Sequence, residues 1–234
     1  MLVMILNNTV HLGARLAACA SYCRKGSSIA DIGTDHALLP IYLMQTGTAS
    51  AAIASDINSE PLSRAKENAE RFDMLDRLSL RLGSGLEKIA PGEVDDIVIA
   101  GMGGDLISDI LAAAEWVKDA RYRLILQPMS KPERLRAWLW SNGFEITEET
   151  ALIDNGRCYS VLLCGYTGEN RDATLAQLYC GRVLECTGEA AERYLRTAVH
   201  RLEAELTGAR AEGRVSDAAA LEQNISYITE NIHE

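Results

Sequence analysis

Apolar positions along this chain fall into two alternating kinds of run. Ile29, Ala30 and Ile32 form a short apolar block that suits a strand buried on both faces. Ala51 to Ile57, Leu78 to Leu82, Asp96 to Ala100 and Tyr122 to Gln127 predict four more strands. Between the blocks the spacing turns helical. Leu12, Leu16, Cys19, Ala20 and Cys23 predict one amphipathic helix over 10–24, ended by Gly26. His36 to Met44 predicts the helix after the first strand, closed at Gly47. Asn58 or Ser59 caps the next, with Pro61 in its first turn and its end near Met74. A further helix spans about Asp105 to Val117, and Ser130-Lys-Pro-Glu133 reads as a capping box opening a helix to Ser141.

Alternating strand and helix predicts a parallel sheet wound on both sides. The pattern then changes. Phe144 to Leu152 and Cys158 to Tyr166 are joined only by Ile153-Asp-Asn-Gly-Arg157, too short for anything but an antiparallel pair. A seven-stranded, doubly wound α/β sheet finished by such a hairpin is the outline of a class I, Rossmann-like methyltransferase. A nicotinamide-binding Rossmann domain would continue with parallel strands. After the linker-like Thr167-Gly-Glu-Asn170, a short helix around Thr174 to Glu185 leads into two apolar seams. Leu195, Val199, Leu202 and Leu206 form one, and Leu221, Ile225, Ile228 and Ile232 the other, both at coiled-coil spacing. They predict an antiparallel helical hairpin whose seams bury against each other. The expected division is therefore 1–166 for the sheet domain, with its N-terminal basic helix, and 167–234 for the helical one.

Composition narrows the class. The 234 residues are 47% hydrophobic and 24% charged, as in globular proteins, with chain enough for one domain and an appendage. Met1 to Leu6 is apolar but too short for a membrane span and has no basic leader, so a cytoplasmic location without membrane partners is expected. The six cysteines contain no C-x-x-C pair, which favours reduced thiols over a metal site. A net charge of −10 speaks against nucleic acid. Yet Arg15, Arg24 and Lys25 stand in the first 26 residues without a single acid. This basic arm reads either as a binding surface or as a solvated helix.

The chemistry gathers at the strand ends. The first strand runs into Asp31, Gly33 and Asp35 instead of G-x-G-x-x-G, so it is not a dinucleotide cradle. Acids there would repel a pyrophosphate but suit a cationic ligand, and S-adenosylmethionine carries a sulfonium and an amino group. An ordinary strand-to-helix turn is the plain alternative. Asp56, followed by Ile57, closes the second strand where a ribose diol would be held. Gly83, Ser84 and Gly85 close the third, leaving room for an adenine ring. Ala100 leads into Gly101, Met102, Gly103 and Gly104, a nearly bare backbone suited to touching substrate. The Asn-Pro-Pro-Tyr pattern of exocyclic-amine methyltransferases is absent, which favours a ring nitrogen or another acceptor.

Ala30-Asp-Ile-Gly-Thr-Asp-His-Ala-Leu-Leu-Pro40, Arg81-Leu-Gly-Ser-Gly-Leu86, Ile99-Ala-Gly-Met-Gly-Gly104 and Leu124-Ile-Leu-Gln-Pro128 resemble the bacterial TrmK family. The resemblance implies a tRNA (adenine-22-N1)-methyltransferase with a C-terminal coiled-coil hairpin, S-adenosyl-L-methionine as cofactor and tRNA as partner. Met129 stands where many relatives have Asn, and the hairpin carries fewer lysines. The cofactor residues implied are Asp31, Gly33, Asp56, Ile57, Gly83, Ser84, Gly85, Ala100, Gly101, Met102 and Gly103. Arg15, Arg24, Lys25, Gly104, Gln127 and Pro128 fall on the substrate side, with Arg193, Arg196, His200 and Arg201 as a second contact. Asp35 and His36 are the catalytic candidates, either of which would equally serve as a helix cap. A monomer is favoured. Methyl transfer to a small molecule or protein, and a non-catalytic S-adenosylmethionine-binding module, are the competing readings. The intact set Asp31, Gly33, Asp56 and Gly101 to Gly104 counts against the last.

Overall fold

The computed structural model describes residues 9–232, so the apolar stretch Met1 to Leu6 lies outside the described residues. Helix α1 (Ala14–Tyr22) comes first, then β1 (Ser27–Ile32), α2 (Leu38–Gln45), β2 (Ala49–Asp56), α3 (Ser59–Arg71) and β3 (Leu78–Leu82). Strand β4 (Asp96–Gly103), α4 (Gly104–Ala112), β5 (Arg123–Ser130) and α5 (Pro132–Ser141) follow, then the hairpin β6 (Phe144–Asp154) and β7 (Arg157–Tyr166). The chain closes with α6 (Leu175–Cys180), α7 (Glu189–Ala211) and α8 (Val215–Glu230). The seven strands lie in the order β3-β2-β1-β4-β5-β7-β6. β1 to β5 are parallel, and β7 runs antiparallel to both β5 and β6.

Where the structure departs from the periodicity, local geometry explains it. Helix α1 is shorter than 10–24 because Val10 is pinned outside it, its N–H donating to Gln45 Oε1 at 2.9 Å. Helix α2 starts at Leu38 because His36 and Ala37 both take left-handed backbone, φ 69° and 54°. Strand β4 continues through the glycines to Gly103, with two register shifts against β5, instead of stopping at Ala100. Helix α4 ends at Ala112, and Glu115–Val117 is a separate 3-10 turn. The capping box expected at Ser130 does not form: Lys131 holds the cap position in left-handed backbone, and Glu133 pairs with Arg201 at 2.8 Å. A capping box does open α6, between Thr174 and Gln177.

Each sheet face carries a core. Ile97, Ile99, Leu124, Leu135 and Phe144 pack under α4 and α5, and Ile29, Val98, Ile125 and Val161 pack against Leu39, Ile41 and Leu43 of α2. A third cluster joins Leu195, Leu202 and Leu206 to Leu221 and Ile228, but also to Tyr179 and Val183. The two seams therefore bury not only against each other but around α6, and α7 also lies on β6 and β7. Arg136 of α5 stands fully buried at this junction. Its Nη2 donates to Glu149 Oε1 at 2.6 Å and to the Tyr194 hydroxyl at 2.7 Å, and its Nη1 to the Leu178 carbonyl at 2.6 Å.

Candidate active site

The C-terminal ends of β1, β2, β3 and β4 converge on one crevice, as a doubly wound sheet requires. At β1 the buried Asp31 accepts the Thr34 hydroxyl at 2.6 Å. Burial pushes the Asp31 carboxyl up to about 6, helped by the charge of Asp56 and opposed by the Thr34 bond. Gly33 and Thr34 donate their N–H groups to the Ser55 carbonyl at 2.8 and 3.0 Å, which fastens this turn to β2. Gly33 has φ +74°, and a Cβ there would run into the terminal methyl of Met102. The turn after β1 and the loop ending β4 are thus in contact across the crevice.

The next residues are held under strain. Two consecutive non-glycine residues in left-handed backbone cost about 1–3 kcal/mol each, and such pairs concentrate at functional sites. Asn68 Nδ2 supports the turn by donating to the His36 carbonyl at 2.9 Å. Neither Asp35 nor His36 caps α2, because Ala37 occupies the cap position and no side chain accepts there. Instead the exposed Asp35 carboxylate lies 3.0 Å from His36 Nε2.

At β2, Asp56 Oδ1 accepts the Asn58 N–H at 2.7 Å, so the carboxylate is oriented at the head of α3. Ile57 beside it is 65% exposed. Leu82, paired with Asp56 on β3, and Leu106 on α4 are likewise exposed. Ser84 and Gly85 line a cavity of about 740 Å³ with Leu106 and Ile110. Exposed apolar side chains beside small residues suit the face of an aromatic ring. Of the three, the sequence marks only Ile57 as a site candidate. The signal for Leu82 and Leu106 was a large apolar residue at a strand's last position and in a helix's first turn.

Strand β4 bulges at Gly101, φ +83°, whose N–H donates to Gln127 Oε1 at 3.2 Å. Arg15 meets the same oxygen through Nη1 at 3.1 Å, pairs with Asp154 at 2.9 Å and lies 5.7 Å over the Tyr159 ring. Arg15 therefore reaches the crevice. Arg24 does not. It is spent at the opposite end of the sheet on the buried Asp96, at 2.6 Å, and on the Asp95 carbonyl, because it precedes β1 instead of following it. Lys25 sits beside it at that far edge.

Gln127 and Gly104 are placed otherwise than the sequence suggests. Gln127 is fully buried, with its oxygen shared by Arg15 and Gly101 and its nitrogen donating to the Pro128 carbonyl at 3.0 Å, so it positions the loop and does not face substrate. Gly104 is buried where a Cβ would strike the Lys131 carbonyl, which makes it a packing glycine. Pro128 is buried, pairs with Met102 and lines a neighbouring cavity, a placement that leaves its expected substrate-side role standing. Arg193 and Arg196 are occupied by the Gly156 carbonyl and Glu192, and Arg201 alone turns toward the sheet.

The donor set fits an S-adenosylmethionine-like ligand. Two acids flank a turn whose glycine admits no side chain, and Asp31 keeps its carboxyl buried without a cationic partner among the described contacts. A cation is the ligand charge such a site favours. No cluster of His, Cys, Asp or Glu able to hold a metal occurs among the described residues, and no described helix is long and apolar enough to cross a membrane.

Comparison with known proteins agrees with this geometry. The methyltransferase domain family matches residues 12–162. The tRNA (adenine(22)-N(1))-methyltransferase of Bacillus subtilis is 42% identical over 156 residues, 67% of this chain and 66% of that protein. The chain thus spans just under two thirds of that curated relative in sequence. The crystal structure of B. subtilis TrmK, an m1A22 tRNA methyltransferase, superposes with a TM-score of 0.82 at 30% identity, covering 96% of this chain and all of the other. TrmK of M. capricolum, solved with S-adenosyl-homocysteine, gives 0.78 at 25% identity, covering 95% and 99%.

Proposed function

Because this chain belongs to the TrmK family of methyltransferases, we propose that it methylates N1 of an adenine in tRNA, at position 22 as in the B. subtilis relative. The reading rests above all on the contact between the acid-lined turn at Gly33 and the glycine loop at Met102. S-adenosyl-L-methionine, when bound, supplies a methyl group on a cationic sulfur. Asp31, Gly33 and Asp56 would hold it, with Ile57, Gly83, Ser84 and Gly85 about its adenine and Ala100 to Gly103 beside the methyl. Adenine N1 is unprotonated at neutral pH and carries its lone pair in the ring plane. No residue has to remove a proton; alignment does the work. Arg15 and the backbone at Gly101 border the place where the base must enter. Asp35, beside His36, supplies negative charge against the positive charge that grows on the methylated ring. A sheet domain over 1–166, a helical domain over 167–234, tRNA as partner and a cytoplasmic location complete the proposal.

Two expectations concern the cofactor. Asp56→Ala should weaken S-adenosylmethionine binding by about 1–3 kcal/mol in a folded variant, read by calorimetry, as for hydrogen bonds to a charged group. The second follows from Asp31. Its carboxyl is raised to about 6, so below that pH the empty site holds a proton that a cationic ligand must displace. Affinity should fall as pH drops from 7 through 6, by about tenfold at pH 5. Asp31→Asn should bind weakly and lose that dependence.

The proposal is tested by primer extension on tRNA incubated with the protein and S-adenosylmethionine. A reverse-transcription stop at adenine 22 that needs both is expected. Label appearing only in a protein or small molecule would overturn it.

A further inference from the structure

A second cavity, of about 350 Å³, lies between the end of β5 and the face of α7. Its walls include Met129, Lys131, Tyr159, Tyr179, Tyr194 and Arg201. It belongs to neither the acid-lined turn nor the ring site near Ser84. Yet it begins at Pro128, whose strand partner is Met102 of the glycine loop. Neighbouring strands are about 4.8 Å apart, so the cavity opens within one nucleotide's reach of the methyl-transfer loop.

Its chemistry differs from that of the rest of this acidic chain. Three tyrosines meet two cations. Tyr179 is 7% and Tyr194 8% exposed, and each has its hydroxyl engaged, by Glu205 and Arg136 respectively. Tyr159 is only half-buried, and of the three tyrosines it alone leaves part of its ring exposed to the cavity beyond the face that Arg15 covers. The Arg15 guanidinium lies over Tyr159 and the Arg201 guanidinium 5.0 Å over Tyr179. Lys131 and Arg201 already pair with Asp105 and Glu133, yet both remain about half-exposed, at 51% and 41% of their side chains. Glu133 Oε2, behind Arg201, is buried without a hydrogen-bond partner. Aromatic rings for a base beside cations for a phosphate are how proteins hold splayed single-stranded nucleotides. A volume near 350 Å³ is at the small end of the ligand-pocket range, about 300–1,000 Å³.

We infer that this cavity holds a nucleotide adjoining the target adenine, its base against Tyr159 and its phosphate between Lys131 and Arg201. The inference rests on the tRNA reading above. Once the neighbouring base is seated, the strand cannot slide, and the target is presented in register to the glycine loop.

The test uses tRNA carrying 2-aminopurine immediately 5′ or 3′ of the target, with the wild-type protein, Tyr159→Leu and Tyr159→Phe. Wild type should quench the probe at one of the two positions, Phe should preserve the quenching and Leu should abolish it. Under steady state, Tyr159→Leu should raise KM for tRNA about tenfold, the scale of one lost base stack, with kcat within twofold and unchanged S-adenosylmethionine affinity. No quenching at either position by a wild-type protein that does methylate tRNA overturns the cavity assignment alone. So does a Leu variant whose kcat falls at constant KM, since Tyr159 would then act through Arg15. A wild type that binds S-adenosylmethionine but methylates no tRNA removes the tRNA reading, and this inference with it.

Discussion

Asp35→Asn is expected to slow single-turnover methyl transfer about a hundredfold, the usual loss for one electrostatic contact to developing charge. Melting temperature and S-adenosylmethionine affinity should stay near those of the wild type. Asn keeps the size and hydrogen-bonding reach of the side chain and removes only its charge. A cap role would tolerate that exchange, but α2 has no side-chain cap, and the strained turn is held by Asn68 on the His36 carbonyl. What Asp35 does have is an exposed carboxylate 3.0 Å from His36 Nε2, at the mouth of the site. Rapid-quench transfer and thermal melting on the same preparation separate the outcomes. A variant that melts early yet transfers at the normal rate would make Asp35 structural.

The largest effect on stability should come from Arg136→Met. The arginine is fully buried and holds Glu149, two carbonyls of α6 and the Tyr194 hydroxyl. Removing it strands the Glu149 charge where water does not reach, which costs about 3–5 kcal/mol. For a chain of this length that lowers the melting temperature on the order of 10 °C. Changing Glu149→Met as well should recover part of the loss, because it removes the stranded charge while the α6 carbonyls still lack their donor. A single variant that melts with the wild type would show that this junction is held by apolar packing alone.

The residues show why some of this was legible in sequence and some was not. Strands β1, β4 and β5 are buried over most of their length and left apolar runs bounded by turn residues, the edge strand β3 left only alternating leucines, and the short Ile153 to Arg157 link dictated the hairpin. Element ends depended on single backbone angles at His36, Ala37 and Lys131, which carry no compositional mark. Arg15 and Arg24 look alike in a charge count. Only the fold separates them, one at the crevice with Gln127 and the other at the opposite sheet edge on Asp96. Arg136 carries no mark in the sequence, since its partners Glu149, Leu178, Tyr179 and Tyr194 meet it only in the fold. Gln127 sat inside the recognised Leu124 to Pro128 motif, yet its role as a brace needed the bulge at Gly101 to become visible.

The central claim is methyl transfer to the ring nitrogen N1 of one tRNA adenine. It is tested most directly with two tRNAs differing at one atom: adenosine at position 22, the site named for the B. subtilis relative, or 1-deazaadenosine, which has C–H in place of N1. With labelled S-adenosylmethionine, the first should take up about one methyl group per tRNA and the second none, while both bind the protein equally. Equal labelling of the two would contradict the account.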